Sequence, residues 1–237
     1  MRWLLTVILV LSLALGVMAC EEEEEGEATA TVVEPTATVV EPTATVVEPT
    51  ATPVEEGVVP EGWERHTTAN IQVDLPETWD AFDPTEETLD TVREALATFN
   101  PDFAALFEQT VSLELLEFLA FDTESVEFVN NLNLIRQESP LPLTVPAAIA
   151  QAETMYSDLG ITVLATDSDL TIGGLKAGSI QVSMSFGPYE VREVQYIVLP
   201  KPDLFFVLTF SANADDFDAL ELPFEQMAKS FRVLESR

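Results

Sequence analysis

Histidine and cysteine, two residue types that often carry catalysis, each occur once in this chain of 237 residues. A metal site with two histidines is excluded because His66 is the sole histidine, and a Ser-His-Asp triad would have to use it. Cys20 follows an apolar leader, so no cysteine nucleophile remains for a folded domain. We therefore predict no catalytic residue, no cofactor-binding residue and no enzymatic activity. A carboxylate-based hydrolase is the less favoured alternative.

Acidic side chains are abundant, and one stretch of them begins like a calcium loop. In Asp167-Ser168-Asp169-Leu170-Thr171 the acids have EF-hand spacing, but Ile172 stands where that loop needs glycine and Gly178 where it needs a bidentate glutamate. We predict no metal site and expect a turn between two strands here, with a looser calcium site as the alternative. No spacing among the acids singles out a catalytic carboxylate pair.

The overall charge restricts the class of partner. The chain has 42 Asp and Glu residues against 10 Lys and Arg, a formal net charge of −32, and residues 63–237 contribute −21 of it. Such a surface repels nucleic acid and anionic lipid headgroups, so we predict no nucleic-acid partner. It favours cationic partners or divalent cations, or it serves only to keep the protein soluble.

The N-terminal stretch is typical of an exported protein. Residues 4–17 are almost all apolar, which is the length of a signal-peptide core. Val17-Met18-Ala19-Cys20 then resembles the lipobox of bacterial lipoproteins. The resemblance implies a signal peptide over residues 1–19, cleavage between Ala19 and Cys20, and a diacylglycerol on Cys20 that anchors the chain at the extracytoplasmic face of the cell membrane. The alternative is an uncleaved signal anchor, because residues 3–19 approach the length of a membrane span.

Residues 20–62 have the composition of a spacer. Five glutamates, Glu21–Glu25, precede three copies of the repeat T-A-T-V-V-E-P, and the segment contains 12 acidic residues and no basic one. The proline in every repeat prevents a continuous helix, and the like charges repel one another. We predict a disordered, extended linker between Cys20 and a folded domain.

Residues 63–237 are numerous enough for one domain with its own core. Alternating apolar residues predict strands over 63–67, 71–75, 115–121, 126–135, 161–166, 176–186, 191–199 and 204–211, with residues 231–234 closing the chain. Helices are predicted after Asp83-Pro84, after Asn100-Pro101, over 146–159 before Gly160, and from a cap at Asp215 or Asp216. Hairpins beside segregated helices indicate an α+β fold in which an antiparallel β-sheet packs against helices.

Several stretches of this domain resemble the PsbP-like fold, which is shared by the photosystem II extrinsic subunit, a Ran-binding import factor and bacterial lipoproteins of the LpqN group. They are Leu75-Pro76-Glu77-Thr78-Trp79, Gly173-Gly174-Leu175-Lys176-Ala177, Tyr196–Leu199 with Phe206–Phe210, and Phe224–Arg232. The resemblance covers roughly residues 63–237 and implies a PsbP-like sandwich. Because known members mostly bind proteins or act as assembly factors, it also implies a non-catalytic domain that binds another envelope protein.

Exposed aromatic side chains are the candidate partner contacts. The candidates for a partner-binding face are Trp63, Trp79 and Tyr189. We predict that Gly187-Pro188-Tyr189 forms a hairpin tip, which would present Tyr189 to a partner. The alternative is that these rings pack against the sheet. A second functional hypothesis is a lipoprotein that binds a small molecule, a glycan or a divalent cation.

Overall fold

The computed structural model describes residues 57–85, 115–125, 128–186 and 189–234. The leader, Ala19, Cys20 and most of the linker lie outside these residues, as do the bodies of the helices predicted after Asp83 and Asn100. Within the described ranges, no helix combines the length and the apolar content that crossing a membrane requires.

The described residues form ten strands and two helices. In chain order they are β1 (Trp63–Thr67), β2 (Ile71–Pro76), β3 (Trp79–Phe82), β4 (Leu116–Asp122), β5 (Asn131–Glu138), α1 (Val145–Asp158), β6 (Thr162–Ile172), β7 (Leu175–Phe186), β8 (Tyr189–Lys201), β9 (Leu204–Asn213), α2 (Ala214–Ser230) and β10 (Arg232–Val233). The predicted α+β fold with an antiparallel sheet is confirmed, and strands predominate over helices.

Two antiparallel sheets are built from these strands. In the described part of the chain, seven strands follow the order β3-β4-β5-β9-β8-β7-β6, and three follow the order β1-β2-β10. Strands β6 to β9 pair in succession as antiparallel hairpins, and the predicted turn at Gly173-Gly174 joins β6 to β7. Both glycines have positive φ, 60° and 79°, which is the conformation that a two-residue hairpin turn of this kind requires.

The small sheet brings together residues from the two ends of the described domain. Strand β10 pairs with β2, with Arg232 opposite Gln72. Next to this pairing, the backbone N–H of Asp74 donates to the Ser230 hydroxyl at 2.8 Å. The small sheet is therefore complete only when the last strand is in place.

Helix α1 covers one face of the large sheet and forms the first core. Its buried residues recur at helical spacing and are Val145, Ala148, Ile149, Ala152 and Tyr156. Thr144 caps the N-terminus and Pro146 follows in the first turn. Gly160, with φ of 71°, lies just past the C-terminus, where the predicted helix ends.

Gly178 on β7 allows α1 to approach the sheet closely. A Cβ at this position would lie 2.6 Å from Cγ1 of Val145 and 2.7 Å from the backbone oxygen of Asp167. The glycine that disagrees with an EF-hand pattern therefore has a packing role between a helix and two strands.

Helix α2 and the small sheet cover the opposite face and form the second core. Phe217, Phe224, Met227 and Ala228 are the buried residues of α2. Phe206 and Phe210 of β9 are buried in this second core, while Phe205, the residue before Phe206, points into the first. The large sheet thus lies between two apolar layers, and its central strands are covered on both faces.

Several local predictions need correction. Residues 167–171 do not form a turn but continue β6, because pairing with β7 resumes at Leu170 after a bulge. The cap of α2 is Asn213, whose Oδ1 accepts from the backbone N–H of Asp215, while Asp215 and Asp216 occupy the first turn. Trp79 is not exposed: only 5% of it is accessible, and its ring meets that of Phe224 edge-on.

Candidate functional site

An open groove of about 460 Å³ lies between α2 and the outer strands β6, β7 and β8. Its helix wall contains Asp218, Glu221, Leu222, Glu225 and Lys229. These positions are three or four residues apart, so they share one side of α2. The volume is within the range of sites that bind small molecules or peptide side chains.

The floor of the groove comes from the large sheet. Period-two alternation places Val194 and Tyr196 of β8 on the face that carries α2, and their partners across β7 are Gln181 and Ser179. The ring of Tyr196 meets Phe210 edge-on at 5.9 Å, which fixes it against the second core. The floor therefore combines an aromatic ring and an aliphatic side chain with hydrogen-bonding groups.

Carboxylates dominate the electrostatics of the helix wall. Nη1 of Arg192 donates to Asp218 at 2.6 Å, and Nζ of Lys229 donates to Glu225 at 2.5 Å. Glu221 has neither an ion pair nor a hydrogen bond from its side chain within the described ranges.

The pKa of the Tyr196 hydroxyl, at the floor of the groove, is shifted by its surroundings. Burial, with the charges of Glu225 and Glu221 in addition, raises the pKa of Tyr196 to about 12. Burial is the larger cause, and the two carboxylates add to it, so both act on the hydroxyl at the floor.

A second polar cluster lies on the other face of the large sheet, beneath α1. Cross-strand pairing sets Glu193 opposite Ser211 and Gln195 opposite Thr209, and Glu193 Oε1 accepts from the Ser211 hydroxyl at 3.0 Å. We call these residues, together with Tyr156 of α1, the buried polar row. Burial raises the pKa of Glu193 to about 7, and burial followed by the Glu193 charge raises the pKa of Tyr156.

The buried polar row is closed to solvent and offers a single carboxyl. Glu193 is 4% exposed, and no described residue lies within hydrogen-bonding geometry of its Oε2, of the Tyr156 hydroxyl or of either amide atom of Gln195. Buried polar atoms of this kind are commonly satisfied by internal water. A glycosidase uses two acids that face a cleft, whereas the buried polar row has one acid and no opening. Among the described residues, no group of three His, Cys, Asp or Glu side chains is suited to a metal ion.

The aromatic candidates and His66 lie apart from the groove, whereas Leu170, Thr171 and Ile172 of the calcium-loop-like stretch line its β6 side. Tyr189 begins β8, is half-buried, and meets the ring of Phe128 edge-on at 5.8 Å, while Gly187 and Pro188 lie outside the described residues. His66 is half-buried on β1, with its ring 6.2 Å from Phe118, and Trp63 packs against the second core. Of the described candidates, Tyr189, His66 and Trp63 do not line the groove.

Sequence reasoning did not identify the groove. One signal for it was present: Leu222 lies off the apolar stripe of α2 and is 60% exposed. A leucine outside the buried stripe of an amphipathic helix is a candidate contact with another molecule when neighbouring groups form a concave surface.

The chain has limited similarity to known proteins. No protein-family model matches it, and no curated protein matches it significantly. Among solved structures, cyanobacterial PsbP (CyanoP) from Synechocystis sp. PCC 6803 is 12% identical, and the match covers 79% of this chain and 100% of that one, with a TM-score of 0.48. LpqN, involved in cell envelope biogenesis of Mycobacterium tuberculosis, is 12% identical over 70% of this chain and 83% of its own, with a TM-score of 0.46.

The Ran-binding protein Mog1p of Saccharomyces cerevisiae is also similar. It is 12% identical over 70% of this chain and 91% of its own length, with a TM-score of 0.44. These three proteins are of the kinds that the sequence stretches resemble. At these identities and scores, the likenesses assign neither a family nor an activity to this chain.

Proposed function

We propose that this protein is a non-catalytic binding protein of the bacterial cell envelope, tethered to the membrane through Cys20, and that the groove between α2 and β6–β8 receives a segment of a partner protein. The observation that carries this proposal is the groove itself. It is open, it is lined by both apolar and polar groups, and its helix wall presents the exposed Leu222.

The sequence before the domain supports a tethered mode of action. Acylation of Cys20 with two or more chains, at about 0.8 kcal/mol per buried CH₂, would give a stable anchor where one chain would be marginal. At about 3.1 Å per residue, the linker up to residue 62 would reach roughly 130 Å when fully extended. A domain on such a tether can search the envelope for a partner while it stays at the membrane.

The composition of the groove suits a protein segment. Protein interfaces combine an aromatic or aliphatic centre with a polar rim. Here Tyr196, Val194 and Leu222 provide the apolar part, and Gln181 and Glu221 provide polar groups. Because Tyr196 is held by Phe210, its ring loses little freedom when a partner binds.

Site-specific photo-cross-linking tests this proposal. A photoreactive amino acid replaces Leu222 in the full lipidated chain, and the matched control replaces Leu141, which is 59% exposed but lies outside the groove. After irradiation of intact membranes, we expect a discrete cross-linked protein from position 222 and not from position 141. An excess of unmodified chain should suppress this product.

Identical products from both positions, or none from position 222, would refute a partner site in the groove. A small organic ligand is the alternative occupant, and the groove volume of about 460 Å³ suits one. A rise in melting temperature with glycans, organic amines or Ca²⁺, without a cross-linked protein, would favour that alternative.

A further inference from the structure

We propose that the groove recognises a basic, extended peptide segment, with a lysine or arginine against Glu221 and an aliphatic side chain against Leu222. This inference rests on the proposed function, since it names the chemistry of the segment that the groove receives. Ionic and apolar contacts are combined because Glu221 and Leu222 are adjacent in the chain and both line the groove.

The charge pairing within the groove singles out Glu221. Asp218 is matched by Arg192, and Glu225 is matched by Lys229. The Arg192 guanidinium also lies 4.5 Å from the centre of the Phe217 ring, so it is held in place from two sides. Glu221 stands between the two matched carboxylates on the same side of α2 and has no cation of its own within the described residues. A cationic side chain of a partner could form the corresponding ion pair with Glu221.

The surroundings of Glu221 are also negative. Glu225, although paired with Lys229, lies close enough to add to the effect of burial in raising the pKa of Tyr196 at the floor, as does Glu221 itself. The opposite bank of the groove is β6, which also carries the exposed Asp167 and Asp169 outside the groove lining. These charges would help to attract a positively charged peptide toward the groove, while Glu221 would make the contact within it.

The same charges argue against occupants that the chain itself could supply. The linker between residues 21 and 62 has 12 acidic residues and no basic one, so the groove would repel it. A second copy of the domain carries a net charge of −21 and would be repelled as well. A different protein with a basic segment is the occupant that the electrostatics favour.

The aliphatic surface beside the carboxylates predicts that the peptide also carries aliphatic side chains. Leu222 is 60% exposed, and Leu170 on the opposite bank is half-buried. A purely cationic ligand would leave this surface in water, whereas a peptide with alternating basic and aliphatic residues would cover it. A groove of about 460 Å³ holds only a few side chains, which suits a short extended segment.

Binding of synthetic peptides to the full-length chain in nanodiscs tests this inference. Three labelled octapeptides are compared by fluorescence polarisation: alternating Lys and Leu, alternating Glu and Leu, and alternating Lys and Ser. We expect the Lys–Leu peptide to bind at least tenfold more tightly than either of the others, and we expect its affinity to fall as NaCl is raised from 50 to 200 mM, because the contacts are partly ionic.

Two matched variants locate the binding site. Glu221→Gln should weaken binding of the Lys–Leu peptide roughly fivefold, the size expected for one partly screened charge contact. Glu138→Gln removes the same charge from an exposed position on β5, outside the groove, and should leave the affinity unchanged. Both side chains are exposed, so thermal melting should confirm that both variants remain folded.

The outcomes separate this inference from the proposed function. Equal binding of the Glu–Leu peptide, or equal weakening by the two variants, would overturn a specific basic site at Glu221. If no peptide binds while position 222 still cross-links to a protein, the partner site stands and its basic character is wrong. If both experiments fail, the groove is not a partner site at all.

Discussion

Replacing Glu193 with glutamine removes the one carboxyl of the buried polar row. In the folded chain the pKa of this carboxyl is raised by burial from 4.5 to about 7. Below pH 4.5 the group is protonated in both the folded and the unfolded state and has no effect on the balance between them. As the pH rises toward 7, the unfolded chain releases the proton first, so stability is lost progressively across this window.

The size of the loss follows from the shift in pKa. About 2.5 pH units at about 1.4 kcal/mol each give roughly 3 kcal/mol, lost between pH 4.5 and 7 and constant above that range. The glutamine variant has no such titration and resembles the protonated acid in shape. We therefore expect Glu193→Gln and the parent protein to differ little near pH 4.5, and the variant to be more stable by about 3 kcal/mol at pH 8.

Urea unfolding of both proteins at several pH values from 4.5 to 8 measures this difference directly. The control is Glu190→Gln, on the same strand but exposed, where it accepts a hydrogen bond from Ser185. Its stability difference from the parent should stay flat over the same range. A flat difference for Glu193→Gln as well would falsify the idea that burial holds this carboxyl in its protonated form near neutral pH.

Three further predictions concern packing, capping and anchoring. Gly178→Ala places a methyl group 2.6 Å from Val145 and against backbone, so urea unfolding should show a loss of about 2 kcal/mol, whereas Gly57→Ala, with nothing within 4 Å, should be nearly neutral. Asn213→Ala removes the cap of α2 and should cost about 1 kcal/mol by the same measurement, while Asn213→Asp should restore most of it. Cys20→Ser should move the chain from the membrane fraction to the soluble fraction on cell fractionation; retention in the membrane would instead indicate an uncleaved signal anchor.

The local elements of the domain were largely accessible from the sequence. The Gly173-Gly174 turn could be predicted because a pair of positive φ angles requires glycine, and α1 could be predicted from its apolar spacing and from Gly160. Strand β3 was missed because its four residues are too few to show alternation. The far half of β6 was missed because polar residues on an exposed edge strand have the composition of a turn.

The groove and the buried polar row depend on tertiary packing, which no local pattern contains. Glu193 lies in a strand whose polar residues suggest a solvent face, but α1 and α2 cover the two faces of that strand. Glu221 becomes part of a concave surface only because α2 docks beside β6–β8. Leu222 was the one local sign, since it does not fit the buried stripe of its own helix.

The pairing of β10 with β2 has a consequence for the order of folding. Gln72 meets Arg232 across a separation of 160 residues, and the Asp74–Ser230 hydrogen bond spans 156. A polypeptide that emerges from its N-terminus, from a ribosome or through a translocation channel, can form β1 and β2 early but cannot finish their sheet until β10 has emerged. Contacts of such long range delay the cooperative step. During emergence the small sheet therefore remains incomplete, and it closes only after residues 232 and 233 have left the channel.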